Sequence, residues 1–127
     1  MAVNVGVVGF RGYSGAELVQ ILERHREVEP YLLEHRSDIT EAPGPRGRQS
    51  PPKIPCGAAS VRQERLAVVF LATPAAVSLE LAPAMLEAGA RVVDLSGAFR
   101  LRTEENYRRW YGAALGEPAL LAEAVYG

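Results

Sequence analysis

Three glycines, Gly9, Gly12 and Gly15, follow one another at intervals of three residues, directly after an apolar run that begins at Val3. A glycine-rich turn between a strand and a helix lets the backbone approach a phosphate closely, and the positive helix end stabilises the anion. The spacing Gly-x-x-Gly-x-x-Gly is less common than Gly-x-Gly-x-x-Gly, and alone it also fits a purely structural turn. Its position after a buried strand favours phosphate binding and predicts a dinucleotide site.

A second group of polar residues, Glu34-His35-Arg36-Ser37, ends the next apolar run. At this point a dinucleotide site places either an acid on the ribose 2′-hydroxyl of NAD or an arginine near the 2′-phosphate of NADP. Glu34 suits NAD, whereas Arg36 with Ser37 suits NADP, and the register decides between them. We favour NADP, because the planar guanidinium of Arg36 binds phosphate well. An exposed ion pair between Glu34 and Arg36 is the alternative without a ligand.

Four apolar runs predict the strands that position these residues. They cover 3–10, 28–34, 66–72 and 90–95, and helical patterns separate them. Strands alternating with helices predict an α/β, Rossmann-like doubly wound parallel sheet with helices on both faces. A stretch rich in proline and glycine, 37–60, predicts a mobile loop.

The helix boundaries have their own signals. Ser14 and Glu17 fit a capping box at the start of the first helix, whose Leu18, Ile21 and Leu22 we expect to be buried. Thr73 as cap and Pro74 at the first helical position begin a later helix, which Pro83 should kink and Gly89 should end. Further short helices are predicted at 103–111 and 118–124.

The composition excludes several classes of protein. The net charge of −1 gives no field that would attract nucleic acid, and 48% hydrophobic residues is an ordinary globular balance. The first residues lack the basic region of a signal peptide, and no apolar run is long enough to span a bilayer. The single cysteine, Cys56, has no helix start or base beside it in sequence to activate the thiol. We expect a cytoplasmic domain with no metal site, no nucleic-acid partner and no membrane contact.

Several longer motifs point to one family. The chain resembles N-acetyl-γ-glutamyl-phosphate reductases, the arginine-pathway members of the aspartate-semialdehyde-dehydrogenase-like group. The motifs that carry the resemblance are Gly9–Leu18, Phe70–Pro74, Val77–Pro83, Asp94–Leu101, Trp110–Gly112 and Glu123–Gly127. The resemblance implies an NADPH-dependent reduction of an acyl phosphate to a semialdehyde, in a parent protein that is a homo-oligomer.

The resemblance also implies where catalysis occurs. In that family a cysteine thiolate and a histidine act on the substrate, and both lie after the region that this chain matches. We therefore assign no catalytic residue, and expect residues 1–127 to be an NADP-binding domain cut before the catalytic domain and inactive without the remainder of the reductase polypeptide. Two alternatives stay open: the related aminoadipate-phosphate reductase, and a stand-alone NADP-binding module without catalysis.

The candidate site residues follow from the glycine turn, the strand ends and the resemblance. Those expected to bind the cofactor are Gly9, Arg11, Gly12, Tyr13, Ser14, Gly15, Arg36, Ser37, Ala72, Thr73, Pro74 and Ser96. Arg100 is the candidate substrate-binding residue, with bracing of its loop by a bond to Asp94 as the open alternative. For Asp94 itself we favour the bracing role. Two positions depart from the family: Ala75 replaces a histidine or asparagine, and the stretch after Gly112 lacks a histidine.

Overall fold

The computed structural model describes residues 2–35, 51–96 and 125 of the chain. Five parallel strands of these residues form one sheet, in the order β3-β2-β1-β4-β5. The strands are β1 (Val3–Val8), β2 (Val28–Glu34), β3 (Lys53–Pro55), β4 (Val68–Leu71) and β5 (Arg91–Asp94). The predicted doubly wound parallel sheet is confirmed, and β2 has the bounds expected from the sequence.

Helices cover both faces of the sheet. They are α1 (Tyr13–Glu23), α2 (Ala58–Gln63) and α3 (Ala75–Glu87). The chain runs outward from β1 to β2 through α1 on one face, and from β4 to β5 through α3 on the other, as right-handed crossovers require. The two buried clusters reflect this arrangement. The cluster under α1 contains Val5, Val7, Phe10, Leu22 and Leu32, and the cluster under α2 and α3 contains Val8, Leu33, Val61, Leu66, Val69, Leu71, Ala82, Met85 and Ala90.

Helix α3 ends as the sequence predicts. Gly89 has a φ of +103°, and the amide of Ala90 donates to the carbonyl of Met85 at 3.2 Å while that of Gly89 donates to Leu86 at 3.0 Å. This is the Schellman motif, which favours glycine because of its left-handed backbone. The start of α3 differs from the prediction, because Pro74 is the N-cap and Thr73 does not cap the helix. Pro83 lies inside α3, which continues past it.

The structure differs from the prediction at one residue of the first helix and adds two short elements to the predicted loop. Ile21 is 61% exposed, because it faces away from the sheet, whereas Leu22 is buried. Within the range 37–60, β3 and the start of α2 form ordered elements that the sequence did not predict. Residues 37–50 of that range, and the helices expected at 103–111 and 118–124, lie outside the described residues.

Candidate functional site

The carboxyl ends of β1 and β4 lie side by side at the centre of the sheet. The amide of Ala72 donates to the carbonyl of Val8 at 2.9 Å, and Gly9 follows Val8 directly. From these two strands the chain continues in opposite directions, so this is the topological switch point of the sheet. In open α/β sheets ligands bind in the crevice at this point.

Gly9 and Gly15 are required by the fold itself. Gly9 has a φ of +82°, and a Cβ there would overlap the Ala72 carbonyl. A Cβ on Gly15 would overlap the carbonyl of Gly9, because the start of α1 packs directly on the end of β1. Gly12 differs, since its φ of −74° suits any residue and a Cβ would lie 3.6 Å from the nearest heavy atom. No contact within the described protein explains glycine at position 12.

The start of α1 presents backbone amides without a side-chain cap. Gly12 is the N-cap, no side-chain cap hydrogen bond is present at this helix end among the described residues, and the first turn contains no acidic residue. The first intrahelical bond joins the Ala16 amide to the Gly12 carbonyl at 2.9 Å, so the amides of Tyr13, Ser14 and Gly15 precede it. The predicted capping box of Ser14 is therefore wrong, because the helix begins before Ser14. Uncapped first-turn amides at a positive helix end form a suitable anion site.

The end of β4 contributes a buried pair of hydroxyls. Thr73 is 9% exposed, and its Oγ1 lies 2.8 Å from the Oγ of Ser78, which is fully buried in α3. The Thr73 hydroxyl points into the protein and stabilises the turn between β4 and α3. Thr73 can therefore contact a ligand in the crevice through its backbone and not through its hydroxyl. Ser78 was not predicted as a partner of Thr73, although the sequence places it as the fourth residue of the helix that follows Thr73-Pro74.

The end of β5 is held by a short hydrogen-bonded turn. Asp94 accepts two bonds from Ser96, from the amide at 3.0 Å to Oδ1 and from the hydroxyl at 2.8 Å to Oδ2. Asp94 therefore stabilises this turn through Ser96, a partner that the sequence did not indicate, and the expected bond between Asp94 and Arg100 stays a prediction. The sheet order places Ser96 on the same edge as Gly9 and Thr73. Arg100 lies outside the described residues.

At the end of β2 the chain brings two opposite charges together. The guanidinium Nη2 of Arg11 lies 3.9 Å from the Oε1 of Glu34, and its Cζ lies 5.0 Å from the ring centroid of Phe10. Arg11 follows β1 and Glu34 ends β2, so the pair depends on the adjacency of these two strands. Arg11 was predicted to lie in the site, but its pairing with Glu34 was not predicted. Arg36 and Ser37 lie outside the described residues.

Among the described residues, no group of histidine, cysteine, aspartate or glutamate side chains is arranged to hold a metal ion. The described helices include none with the length and apolar character needed to cross a membrane. Cys56 is half-buried and packs against the cluster under α2 and α3, and the expectation that no helix begins beside it is wrong, because α2 begins at Ala58.

Comparison with protein families and known sequences gives a consistent result. A family model described as the semialdehyde dehydrogenase NAD-binding domain matches residues 4–127. The N-acetyl-gamma-glutamyl-phosphate reductase of Pseudomonas aeruginosa PAO1 is 41% identical over 130 residues, which cover 98% of this chain and 38% of that protein. The protein of the same name from Halorhodospira halophila is 39% identical, over 98% of this chain and 37% of its own length.

Solved structures share the fold. A probable aspartate-semialdehyde dehydrogenase from Pseudomonas aeruginosa is 31% identical with a TM-score of 0.59, and the match covers 77% of this chain and 29% of that one. The aspartate semialdehyde dehydrogenase with NADP from Candida albicans, at 22% identity and a TM-score of 0.60, is matched over 87% of this chain and 32% of its own. In each case the chain aligns with less than half of the larger protein.

Proposed function

The chain belongs to the semialdehyde dehydrogenase NAD-binding-domain family, and on this premise we propose that it is the NADP(H)-binding part of an N-acetyl-γ-glutamyl-phosphate reductase. The chain spans about 38% of the length of the Pseudomonas relative that it matches. The proposal assigns cofactor binding to this chain. It assigns the chemistry on the acyl phosphate to the part of the relatives that the chain does not match.

The observation that carries the proposal is Gly12, at which no steric contact within the described residues requires glycine. Gly9 and Gly15 are needed for the packing of β1 on α1, whereas Gly12 is open to solvent beside the uncapped amides of Tyr13 and Ser14. A glycine that packing does not require, at a positive helix end, suits a ligand whose phosphates approach the backbone closely. The described residues therefore fit a dinucleotide pyrophosphate.

The preference for NADP over NAD is supported by charge at the end of β2. Arg11 reaches this end of the sheet from the glycine turn, and Arg36 and Ser37 follow in sequence. Guanidinium groups bind phosphate with paired, charge-assisted hydrogen bonds. Glu34 is the acid expected of an NAD site, but Arg11 lies beside its carboxylate.

The described residues would bind and orient the cofactor at the switch point. The amides of Tyr13 and Ser14 would hold the pyrophosphate, and the backbone at Ala72 and Thr73, with Ser96 further along, would border the nicotinamide side of the crevice. NADPH, when bound there, supplies the hydride that reduces the acyl group. Arg100, if it lines the crevice, would bind an anionic group of the substrate.

A chimeric enzyme tests this proposal. The matching segment of the Pseudomonas aeruginosa reductase is replaced by this chain, and the phosphate-dependent reduction of NADP⁺ by N-acetylglutamate semialdehyde is followed by absorbance. We expect activity with NADP⁺ above that with NAD⁺. The same chimera carrying Gly12→Ala serves as the matched control and should lose most of this activity.

Two results would contradict the proposal. A folded chimera of the relative's oligomeric state with no activity on either cofactor would mean that this chain does not supply the reductase's cofactor site. Measurable turnover by the 127-residue chain alone, in a preparation free of host reductase, would contradict the assignment of the acyl-phosphate chemistry to the part of the relatives that this chain does not match.

A further inference from the structure

We propose that Arg11 and Glu34 act together as the determinant of the cofactor's 2′-substituent: Arg11 binds the 2′-phosphate of NADPH, and Glu34 both positions Arg11 and opposes that phosphate. The inference rests on the proposed NADP site and assigns within it a pair that the sequence did not predict. Its basis is the location and environment of the two side chains.

The location follows from the sheet. In doubly wound folds the 2′-substituent of the adenosine ribose is recognised at the carboxyl end of the second strand. Glu34 is the last residue of β2. The guanidinium of Arg11, 3.9 Å from its carboxylate, therefore lies where a 2′-substituent would be bound.

The environment keeps Arg11 in that place and leaves it accessible. The guanidinium lies over the ring of Phe10, which is buried in the cluster under α1 and so forms a fixed platform. The Arg11 side chain is 29% exposed and that of Glu34 is 48% exposed. At 3.9 Å the pair is at the outer limit of an ion pair and is reached by water, so a phosphate can compete with the carboxylate for the guanidinium.

The charges then work in opposite directions. A 2′-phosphate carries more negative charge than the Glu34 carboxylate, so it attracts Arg11 and is repelled by Glu34. A 2′-hydroxyl has no charge and donates a hydrogen bond to a carboxylate. In a cofactor without the 2′-phosphate, the 2′-hydroxyl therefore favours Glu34 as its partner. The balance between these two side chains therefore changes how strongly the site prefers NADPH over NADH.

The test uses two probes that differ only in the 2′-phosphate, adenosine 2′,5′-bisphosphate and 5′-AMP, with dissociation constants measured by calorimetry on this chain. Arg11→Gln should weaken the binding of the bisphosphate about tenfold or more and change the affinity for 5′-AMP by less than about twofold. Glu34→Gln should strengthen the binding of the bisphosphate about threefold or more, and the affinity for 5′-AMP should stay unchanged or fall. Arg11→Lys should restore part of the bisphosphate affinity lost in Arg11→Gln.

Matched controls separate a local effect from a change in net charge. Glu29→Gln alters the other end of β2, and Arg24→Gln alters the far end of α1; both positions are exposed. Neither control should change the ratio of the two affinities by more than about twofold, because exposed charges a strand length apart are screened. Thermal unfolding confirms that each variant is folded.

Different failures point to different errors. If the wild-type chain binds both nucleotides but Arg11→Gln weakens them equally, or the controls change the ratio as much as the pair does, the pair is not the determinant. If the folded wild-type chain binds neither nucleotide, the proposed cofactor site is wrong and the role of the pair fails with it.

Discussion

The substitution Gly12→Ala should separate cofactor binding from folding. In the folded protein the new methyl group would lie 3.6 Å from the Gly9 carbonyl oxygen, an ordinary contact, on a backbone with a φ of −74°. Alanine is a poorer N-cap than glycine by up to about 1 kcal/mol, but it lowers the entropy of the unfolded chain, which stabilises the protein by about 0.4–1 kcal/mol. These effects largely cancel, so the free energy of unfolding should change by less than about 1 kcal/mol.

The effect on binding should be much larger. A methyl group at position 12 would stand between the first-turn amides of α1 and an approaching pyrophosphate. Loss of one hydrogen bond to a charged group costs about 1.5–3 kcal/mol, which corresponds to roughly a 10- to 150-fold weaker NADPH complex. Calorimetric titration with NADPH and urea unfolding measure the two quantities on the same preparation.

Two further variants serve as comparisons for Gly12→Ala. Gly57 is also an N-cap glycine, that of α2, with open space around it, so Gly57→Ala should change neither NADPH binding nor, beyond about 1 kcal/mol, stability. Gly15→Ala should instead destabilise or unfold the chain, since its methyl group would overlap the Gly9 carbonyl. A folded Gly12→Ala variant that binds NADPH as tightly as the wild type would refute the reasoning about position 12.

Three predictions concern the core and its polar groups. Met85 is fully buried, so Met85→Ala should cost about 2–5 kcal/mol in urea unfolding, whereas Leu86→Ala, at a position 41% exposed, should cost less than half as much. Thr73→Val should cost about 1–3 kcal/mol by leaving the buried Ser78 hydroxyl unpaired, and the double variant Thr73→Val/Ser78→Ala should cost less than the sum of the single ones. Burial, followed by neighbouring carboxylates, raises the pKa of Tyr31, so the folded state keeps this proton to higher pH than the unfolded state. The protonated Tyr31 therefore contributes to the free energy of unfolding below the unfolded pKa of about 10, and this contribution is lost as the pH rises above that value. Between pH 9 and 11 the free energy of unfolding should fall less in Tyr31→Phe than in the wild type. An equal fall in both proteins would contradict the raised pKa of Tyr31.

The strands and the glycine turn could be predicted because each has a strong local signal. Buried parallel strands are continuous apolar runs, as in β1 and β4, and β2 was predicted with the bounds that the structure gives. The left-handed Gly89 after α3 was equally clear, because few other residues adopt that backbone conformation.

The missed features are short or depend on contacts between distant residues. β3 has only three residues and α2 only six, too few to show a period, and Arg65 holds a positive φ of 51° that glycine would ordinarily take at the end of α2. The capping box of Ser14 was a valid local pattern, but the packing of Gly15 on β1 starts the helix earlier. The pair of Arg11 and Glu34 required knowing that β1 and β2 are neighbours, which follows from the sheet order and not from local sequence.

The central claim is that this chain binds NADPH at the switch point between β1 and β4. Calorimetric titration of the chain with NADPH and NADH tests it most directly. We predict one NADPH bound for each chain, tighter than NADH, and displaced by adenosine 2′,5′-bisphosphate. A chain that is folded by circular dichroism but binds neither dinucleotide at millimolar concentration would contradict the claim.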